Sequence, residues 1–417
     1  MIWSFPVAAD TFRPPSHTHR MVTHVDRAVG LFTPAEIAQL TALRRTLHRH
    51  PELSFQEEQT AVRLEESLRS VGIADVRRVA GTGLVARVPG RERGGPVVAI
   101  RGDIDALPIT EVTGLEYASA VAGVMHACGH DVHATWAIGA ALLLRRTPAR
   151  GDVLIVLQPA EEVGAGAGAV LASGALDEVQ AIFGAHVDRR FPLGEVVAQP
   201  GPLAASADSF SIEVVGRGAH GARPHEGADP IVAAAAIVIG LQTVVSRRLD
   251  PGAAAVVTIG AIRGGSAPNV IPERVEMKGT LRAMLPEVRQ TLHDEVGAVA
   301  TAVAAAHGTK ALVTIKRGPP PIVNPEREAA WARQAAERVL GSGSVMPLGI
   351  TNMGAEDFAC YLERMGGCFL RIGAREPGGE PIPAHSPRFV VAEESIFIGA
   401  AVLAECARVA GERLGDS

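Results

Sequence analysis

The order of apolar runs between residues 205 and 316 constrains this chain more than any other feature. Ser209 to Val215 reads as a strand, and Asp229 can cap a helix that Pro230 begins and that runs to about Arg247. Two strands follow, Ala255 to Ile262 and Arg274 to Arg282. Pro286 then starts a helix to about His307, and Ala311 to Lys316 is a last strand. This β-α-β-β-α-β order is the split βαβ, or ferredoxin-like, arrangement, which buries a core of its own. A different rhythm holds on either side. Val97 to Arg101, Val153 to Gln158 and Ala181 to Val187 are short apolar runs, with helical patterns at Asp131 to Arg146 and Ala165 to Ser173. Such alternation predicts a mainly parallel sheet covered on both faces. It resumes later, with helices expected at 325–340, 356–365 and 393–414 and a strand at Cys368 to Gly373. The reading is an α/β chain whose larger domain, 33–204 and 317–417, is interrupted by an inserted α+β domain, 205–316. A length of 417 residues suits two domains and a tail.

Before these elements, Thr33, Pro34 and Glu36 form a capping-box signature ahead of Ile37, Leu40, Leu43 and Leu47 at helical spacing. Ser54 and Glu57 repeat the signature before a helix to about Gly72. Residues 1–32 contain prolines and no sustained apolar run, so a disordered tail is expected, and Met21 could be the true start. The segment reads as neither a signal peptide nor a membrane anchor, which makes the cytoplasm the default compartment. A formal net charge of -5 disfavours a nucleic-acid partner. Four cysteines in a chain of this size do not make a disulfide scaffold.

The sharpest chemical signal is His126-Ala127-Cys128-Gly129-His130-Asp131-Val132-His133. Thiolate and imidazole are first-choice ligands for zinc-like cations, and Gly129 allows a tight turn between two of them. The plainer alternative is a histidine-rich helix start beside a buried free thiol. Gln158-Pro159-Ala160-Glu161-Glu162 puts adjacent carboxylates at the carboxyl end of a strand, where α/β ligand sites form. Alone, that pair reads equally as a solvated helix start. His186 ends another strand, and His385 lies in a loop fixed by Pro383 and Pro387; each alone is more often structural. Asp103 and Asp105, at a third strand end, could orient ligand imidazoles from behind.

Together these pieces resemble the metallopeptidase family of aminoacylases, glutamate carboxypeptidases and peptidase T. They are most similar to its amidohydrolase branch, which includes hippurate hydrolases and plant indole-acetyl-amino-acid hydrolases. The matching stretches include "LHRHPELSFQE", "RGDIDALPI", "MHACGHDVHATWAIGAALLL", "LQPAEE", "GRGAHGARPHEGADPI", "NVIPERVEMKGTLR", "MGAEDF" and "AHSPRF", in family order over residues 47–390. The resemblance implies a mainly parallel metallopeptidase catalytic domain with an inserted lid or dimerisation domain. It implies metal ligands Cys128, His130, Glu162, His186 and His385, with Cys128 bridging, and Glu161 as general base. His220 matches a histidine that crosses a dimer interface into the partner's site. Asn269 and Arg282 match substrate-binding residues, and Glu356 sits in a loop lining the pocket. The implied activity is metal-dependent hydrolysis of a linear amide, a non-peptide C–N bond, in small N-acyl amino acids. It would use two divalent ions, zinc or manganese before cobalt or nickel, in a homodimer without membrane or nucleic-acid partners. A dipeptidase or carboxypeptidase of the same family, or a non-catalytic metal sensor, is the alternative. The tail before residue 35, the bulk of Trp136 and the residues before Met353 depart from the family pattern.

Overall fold

The computed structural model describes residues 17–351 and 353–416, so the expectation for residues 1–16 lies outside them. Within the expected tail, His17–Val29 forms a helix, α1, instead of disordered chain. The sequence reading missed it because its apolar positions are few, yet Ala28 and Phe32 are buried, and Phe32 packs edge-on against Phe397 at 5.3 Å. Helix α2 (Pro34–Arg49) begins with the expected capping box: the Glu36 amide donates to Thr33 Oγ1 at 3.3 Å and the Thr33 amide to Glu36 Oε2 at 2.8 Å. The second expected box does not form. Helix α3 (Glu58–Ser70) is capped by Glu52, whose carboxylate accepts the Gln59 and Thr60 amides at 3.2 and 2.7 Å. Ser54 and Glu57 are drawn away to the site described below.

Strands β1 (Val76–Val79), β2 (Gly83–Val88) and β3 (Val98–Asp103) lead to helix α4 (His130–Arg146), strand β4 (Val153–Gln158), helix α5 (Gly166–Ala172) and strand β5 (Ala181–Pro192). Short strands β6 (Val196–Val197) and β7 (Gly201–Ala204) follow. After residue 316 come β14 (Ile322–Asn324), α8 (Glu326–Leu340), α9 (Ala359–Leu362), β15 (Gly366–Arg375) and α10 (Glu394–Gly415). The large sheet has the order β1-β2-β4-β3-β5-β15-β6. Its centre, β4-β3-β5-β15, is parallel, and its edges are antiparallel. Alternate residues of β3, β4 and β5 enter separate cores, one under α2, α4 and α10 and the other under α5 and α9. This explains the continuous apolar runs, since both faces are buried. Trp136, bulky for its helix, fits because Gly399 faces it: a Cβ there would lie 2.1 Å from the indole. The helix expected over 356–365 contracts to α9. Glu356 and Asp357 bond to Arg101 and leave the helical path.

Between these halves lie β8 (Asp208–Val215), β9 (Ala219–His220), α6 (Pro230–Thr243), β10 (Ala255–Gly264), β11 (Val270–Ile271), β12 (Arg274–Ala283), α7 (Pro286–Ala306) and β13 (Lys310–Lys316). The four long strands form an antiparallel sheet of order β10-β12-β8-β13, and α6 and α7 cover one face. Asp229 caps α6 by accepting the Ile231 and Val232 amides. The helix and its continuation to Arg248 are long and apolar enough to cross a membrane by length and composition. Its inner side, Ala233, Ala234, Ile237 and Leu241, nevertheless packs on the sheet. Its outer side exposes Ile231, Val232 and Ile239, the last 72% exposed. The two chain crossings into this unit run together. The Ala207 amide donates to Pro319 O at 3.0 Å, and the Gly318 amide to Asp208 Oδ1 at 2.9 Å.

Candidate metal centre and active site

The carboxyl ends of β3, β4 and β5 deliver most of the site. Gly129 precedes α4 with φ of 94°, and a Cβ there would lie 2.5 Å from Val187. Only glycine allows this turn, which brings Cys128 and His130 to one place. Asp131, the next residue, locks α4 to α2: Arg44 Nε lies 2.8 Å and His48 Nδ1 2.9 Å from Asp131 Oδ2. After β4 the chain turns through Ala160, whose φ is 54°, and Glu57 fixes that turn by accepting the Ala160 amide at 2.9 Å. Thr82 donates to the other Glu57 oxygen at 2.5 Å. Glu161 and Glu162 follow, and the Glu162 amide donates to Asp105 Oδ2 at 3.0 Å. His385 also has a left-handed backbone, φ 67°, held by its amide on Ala127 O at 2.8 Å. Such strain persists only where surrounding bonds over-determine it.

All five expected metal ligands converge. Cys128 Sγ lies 3.2 Å from His186 Nε2. His130 Nε2 is 3.8 Å from oxygens of both Glu161 and Glu162, and His385 Nε2 is 3.4 Å from Glu162 Oε2. Cys128 belongs to two ligand triads, one with His130 and His186 and one with Glu162 and His385. Asp105 accepts from His130 Nδ1, at 2.9 Å to its carbonyl and 3.1 Å to its carboxylate, so Nε2 faces the cluster. His186 does the same by donating Nδ1–H to Val187 O at 2.7 Å. Two buried atoms, His130 Nε2 and Glu162 Oε1, have no hydrogen-bond partner. Orphaned lone pairs that converge with a thiol and two more imidazoles are the donor set a pair of divalent cations requires.

Burial, followed by the like charges of Glu356 and Asp357, pushes the Glu161 carboxyl well above its ordinary value. Burial and Glu162 push the Cys128 thiol up, and burial with His133 and Arg371 holds His186 down. A divalent charge at the cluster reverses this balance by favouring thiolate and carboxylate.

Asp103 Oδ2 lies 3.8 Å from Nε2 of the expected ligand His130, while the Asp103 carboxylate takes its hydrogen bond from another histidine. It accepts from His133 Nδ1 at 2.6 Å, and His133 Nε2 accepts the Val187 amide at 3.0 Å, so this histidine steadies the strand end beside His186. Glu356 reaches the wall, but its carboxylate is tied to Arg101 Nη2 at 2.9 Å. Arg101, fully buried, also holds Asp103, Asp357 (3.1 Å) and Gln158 (2.9 Å). Sequence reasoning missed Glu57, Arg101, His133 and Arg371. A charged residue inside an apolar strand, as at Arg101 and Arg371, was the available signal.

These groups open into a cavity of about 670 Å³ between the two sheets. Its walls include Cys128, Glu161, Glu162, His186 and His385 on one side and Asp208, Thr280, Arg282 and Lys316 on the other. Arg282 therefore faces the cleft. His220 and Asn269 do not line it: they are neighbours on the exposed β9–β11 ribbon, where His220 pairs with Val270 and the Gly221 amide donates to Asn269 O at 2.7 Å.

The sequence model described as Peptidase family M20/M25/M40 matches residues 99–409. An N-acetyl-L-cysteine deacetylase of Bacillus subtilis (strain 168) is 41% identical over 381 residues, 91% of this chain and 89% of that protein. IAA-amino acid hydrolase ILR1-like 5 of Arabidopsis thaliana is 36% identical over 375 residues, 88% of this chain and 86% of that one. Among solved structures, the Bacillus subtilis YXEP protein, described as a dinuclear metal binding peptidase, superposes with a TM-score of 0.81 at 38% identity, covering 91% of this chain and 99% of its own.

Proposed function

Because the chain belongs to peptidase family M20/M25/M40, we propose that it hydrolyses the amide bond of small N-acyl amino acids, releasing a carboxylic acid and a free amino acid. Metal-dependent amide hydrolysis is the chemistry of the chain, and the N-acyl amino acid is the finer step. The names of two relatives, an N-acetylcysteine deacetylase and an indole-acetyl-amino-acid hydrolase, describe such substrates. The observation that carries the proposal is the convergence of five ligands, two with orphaned buried atoms, beside a spare carboxylate, Glu161.

Cys128, His130, Glu162, His186 and His385 would hold two divalent cations, whose Lewis acidity would polarise the amide carbonyl and lower the pKa of water. Zinc suits the thiol best, and manganese, cobalt or nickel could serve. Glu161 accepts a proton from the attacking water and returns it to the departing nitrogen, which leaves poorly without it. Asp105 fixes the His130 tautomer and so keeps its Nε2 toward the cluster. Arg282 receives the substrate carboxylate in its planar fork.

His220 and Asn269 complete the site of a second copy, His220 stabilising the oxyanion and Asn269 donating to a carbonyl oxygen. Their exposure outside their own cleft supports this role. The outward apolar side of α6 and the open edge of β10 supply the matching dimer surface. A free thiol among the ligands favours a reducing compartment, the cytoplasm.

A panel of N-acyl amino acids and free dipeptides, assayed with supplemented metal, tests the substrate class. Turnover of dipeptides alone would move the reading to a peptidase, and no turnover of either would leave a metal-binding scaffold. Mixing His220→Ala with Glu161→Gln chains tests the dimer. Action across the interface creates one intact site per mixed dimer and restores activity, whereas action within a chain leaves the mixture inactive.

A further inference from the structure

We propose that Arg371 is a specificity-determining residue that selects substrates bearing a second carboxylate, in addition to the one assigned to Arg282. The proposal rests on the N-acyl amino acid reading above.

Arg371 interrupts the otherwise apolar run Cys368–Ile372 of β15 and stands in register with His186 on the parallel neighbour β5. Residues matched in this way project to the same face of a sheet. Its side chain reaches the cavity wall together with Cys128, His186 and Glu356. A guanidinium carries five N–H donors in a fixed fork. Among the described residues, the Arg371 side chain makes no hydrogen bond or ion pair, and its Nε is sealed from solvent without a partner.

The nearby carboxylates are committed elsewhere. Asp188 is gripped by Arg190 at 2.6 to 3.1 Å, and Glu356 by Arg101 at 2.9 Å and by the Phe358 amide at 3.0 Å. The Phe369 ring, its centroid 5.5 Å from the guanidinium carbon, offers only an aromatic face. The buried arginines each hold a carboxylate: Arg44 with Asp131, Arg101 with Asp103, and Arg189 with Glu376. Arg371, half-buried, presents its fork to the cleft without a carboxylate partner among the described residues. A carboxylate fits that fork with two parallel hydrogen bonds.

Arg282 cannot stand in for it, because the two occupy different walls: Arg282 on β12 of the smaller sheet, Arg371 on β15 of the larger sheet among the metal-ligand candidates. A substrate with one carboxylate leaves one fork unpaired, and a dianionic substrate fills both. The second carboxylate can lie on the amino acid, as in an N-acyl aspartate or glutamate, or on a dicarboxylic acyl group.

The test compares pairs that differ in charge and little in shape. One pair is N-acetyl-L-glutamate and N-acetyl-L-glutamine; the other is N-succinylglycine and its succinamoyl counterpart. With metal-loaded wild-type enzyme, the acid of at least one pair should exceed its amide in kcat/KM by ~10-fold or more, the scale of a charge-assisted bidentate contact. The pair that responds identifies which end of the substrate carries the charge. In Arg371→Met the ratio should collapse toward one, chiefly through KM, with metal content by elemental analysis retained. Arg371→Lys should keep an intermediate ratio. Equal use of acid and amide by wild type in both pairs, or a ratio that survives Arg371→Met, overturns the proposal. Calorimetric titration of glutarate and its monoamide gives the same comparison without turnover. If no N-acyl amino acid is cleaved, the functional reading fails; Arg371 stands or falls separately on whether wild type, and not Arg371→Met, prefers glutarate.

Discussion

Replacing Arg101 by Met should destabilise the protein by about 3–5 kcal/mol, the cost of removing one partner from a buried ion pair. The structure supports that end of the scale because Arg101 has no solvent exposure and four acceptors: Asp103, Glu356, Asp357 and Gln158. Methionine fills similar volume, so the loss is electrostatic instead of a cavity. One acceptor softens the effect. Burial pushes Asp357 up to about 7, so it can take a proton and cease to need the guanidinium. Asp357→Asn added to Arg101→Met should therefore recover part of the loss. Urea unfolding of metal-stripped proteins, followed by tryptophan fluorescence, reads this without the linked contribution of bound cations. Should Arg101→Met fail to fold, Arg101→Lys keeps the charge but lacks the fork and should lose ~1–3 kcal/mol. An Arg101→Met protein within ~0.5 kcal/mol of wild type, the usual range for an unimportant surface change, would refute the reasoning. So would a double variant whose losses simply add.

Glu161→Gln should reduce turnover by ~10²–10⁴ while elemental analysis finds the metal retained; lost metal with retained activity would exchange the roles of Glu161 and Glu162. Cys128→Ala should lower metal content toward that of the chelator-treated enzyme with its circular dichroism intact, and full occupancy in that variant would remove Cys128 from the ligand set. Burial raises the pKa of Asp208, but hydrogen bonds from Arg289, the Gly318 amide and His293 outweigh it and leave the net value lowered. The network's stabilisation is therefore complete above the unfolded value of about 3.9 and fades as pH falls through the folded one. Asp208→Asn should be less stable than wild type at neutral pH, with the gap closing in acid; a gap unchanged down to pH ~2 would contradict this.

The strands and long helices were legible because their signals are local. Pro230 and Pro286 sit at helix starts, and β3, β4 and β5 each begin with an apolar run (Val98–Ile100, Val153–Leu157, Ala181–Ala185) because both faces are covered there. The ligands were legible as a set only through their resemblance to a family, since His186 and His385 carry no local mark. What stayed hidden depends on partners distant in sequence. Glu57 imitates a helix cap but holds Ala160, 103 residues later, and Arg101 spends its donors on Glu356 and Asp357, more than 250 residues away. Helix α1 was hidden for the same reason, because its apolar positions acquire meaning only against α8 and α10.

The paired crossings at Ala207–Pro319 and Gly318–Asp208 have a consequence for how such a chain can change over time. A long segment spliced into a folded layer normally costs closure entropy, which grows with its length. Here the ends of the segment are already side by side, so the large sheet meets only a short closed turn, whatever its far end carries. The smaller sheet can then be lengthened, reshaped or exchanged without disturbing the register of β5 and β15. Its outward surface and the cleft wall bearing Arg282 can therefore change without moving the cluster around Cys128.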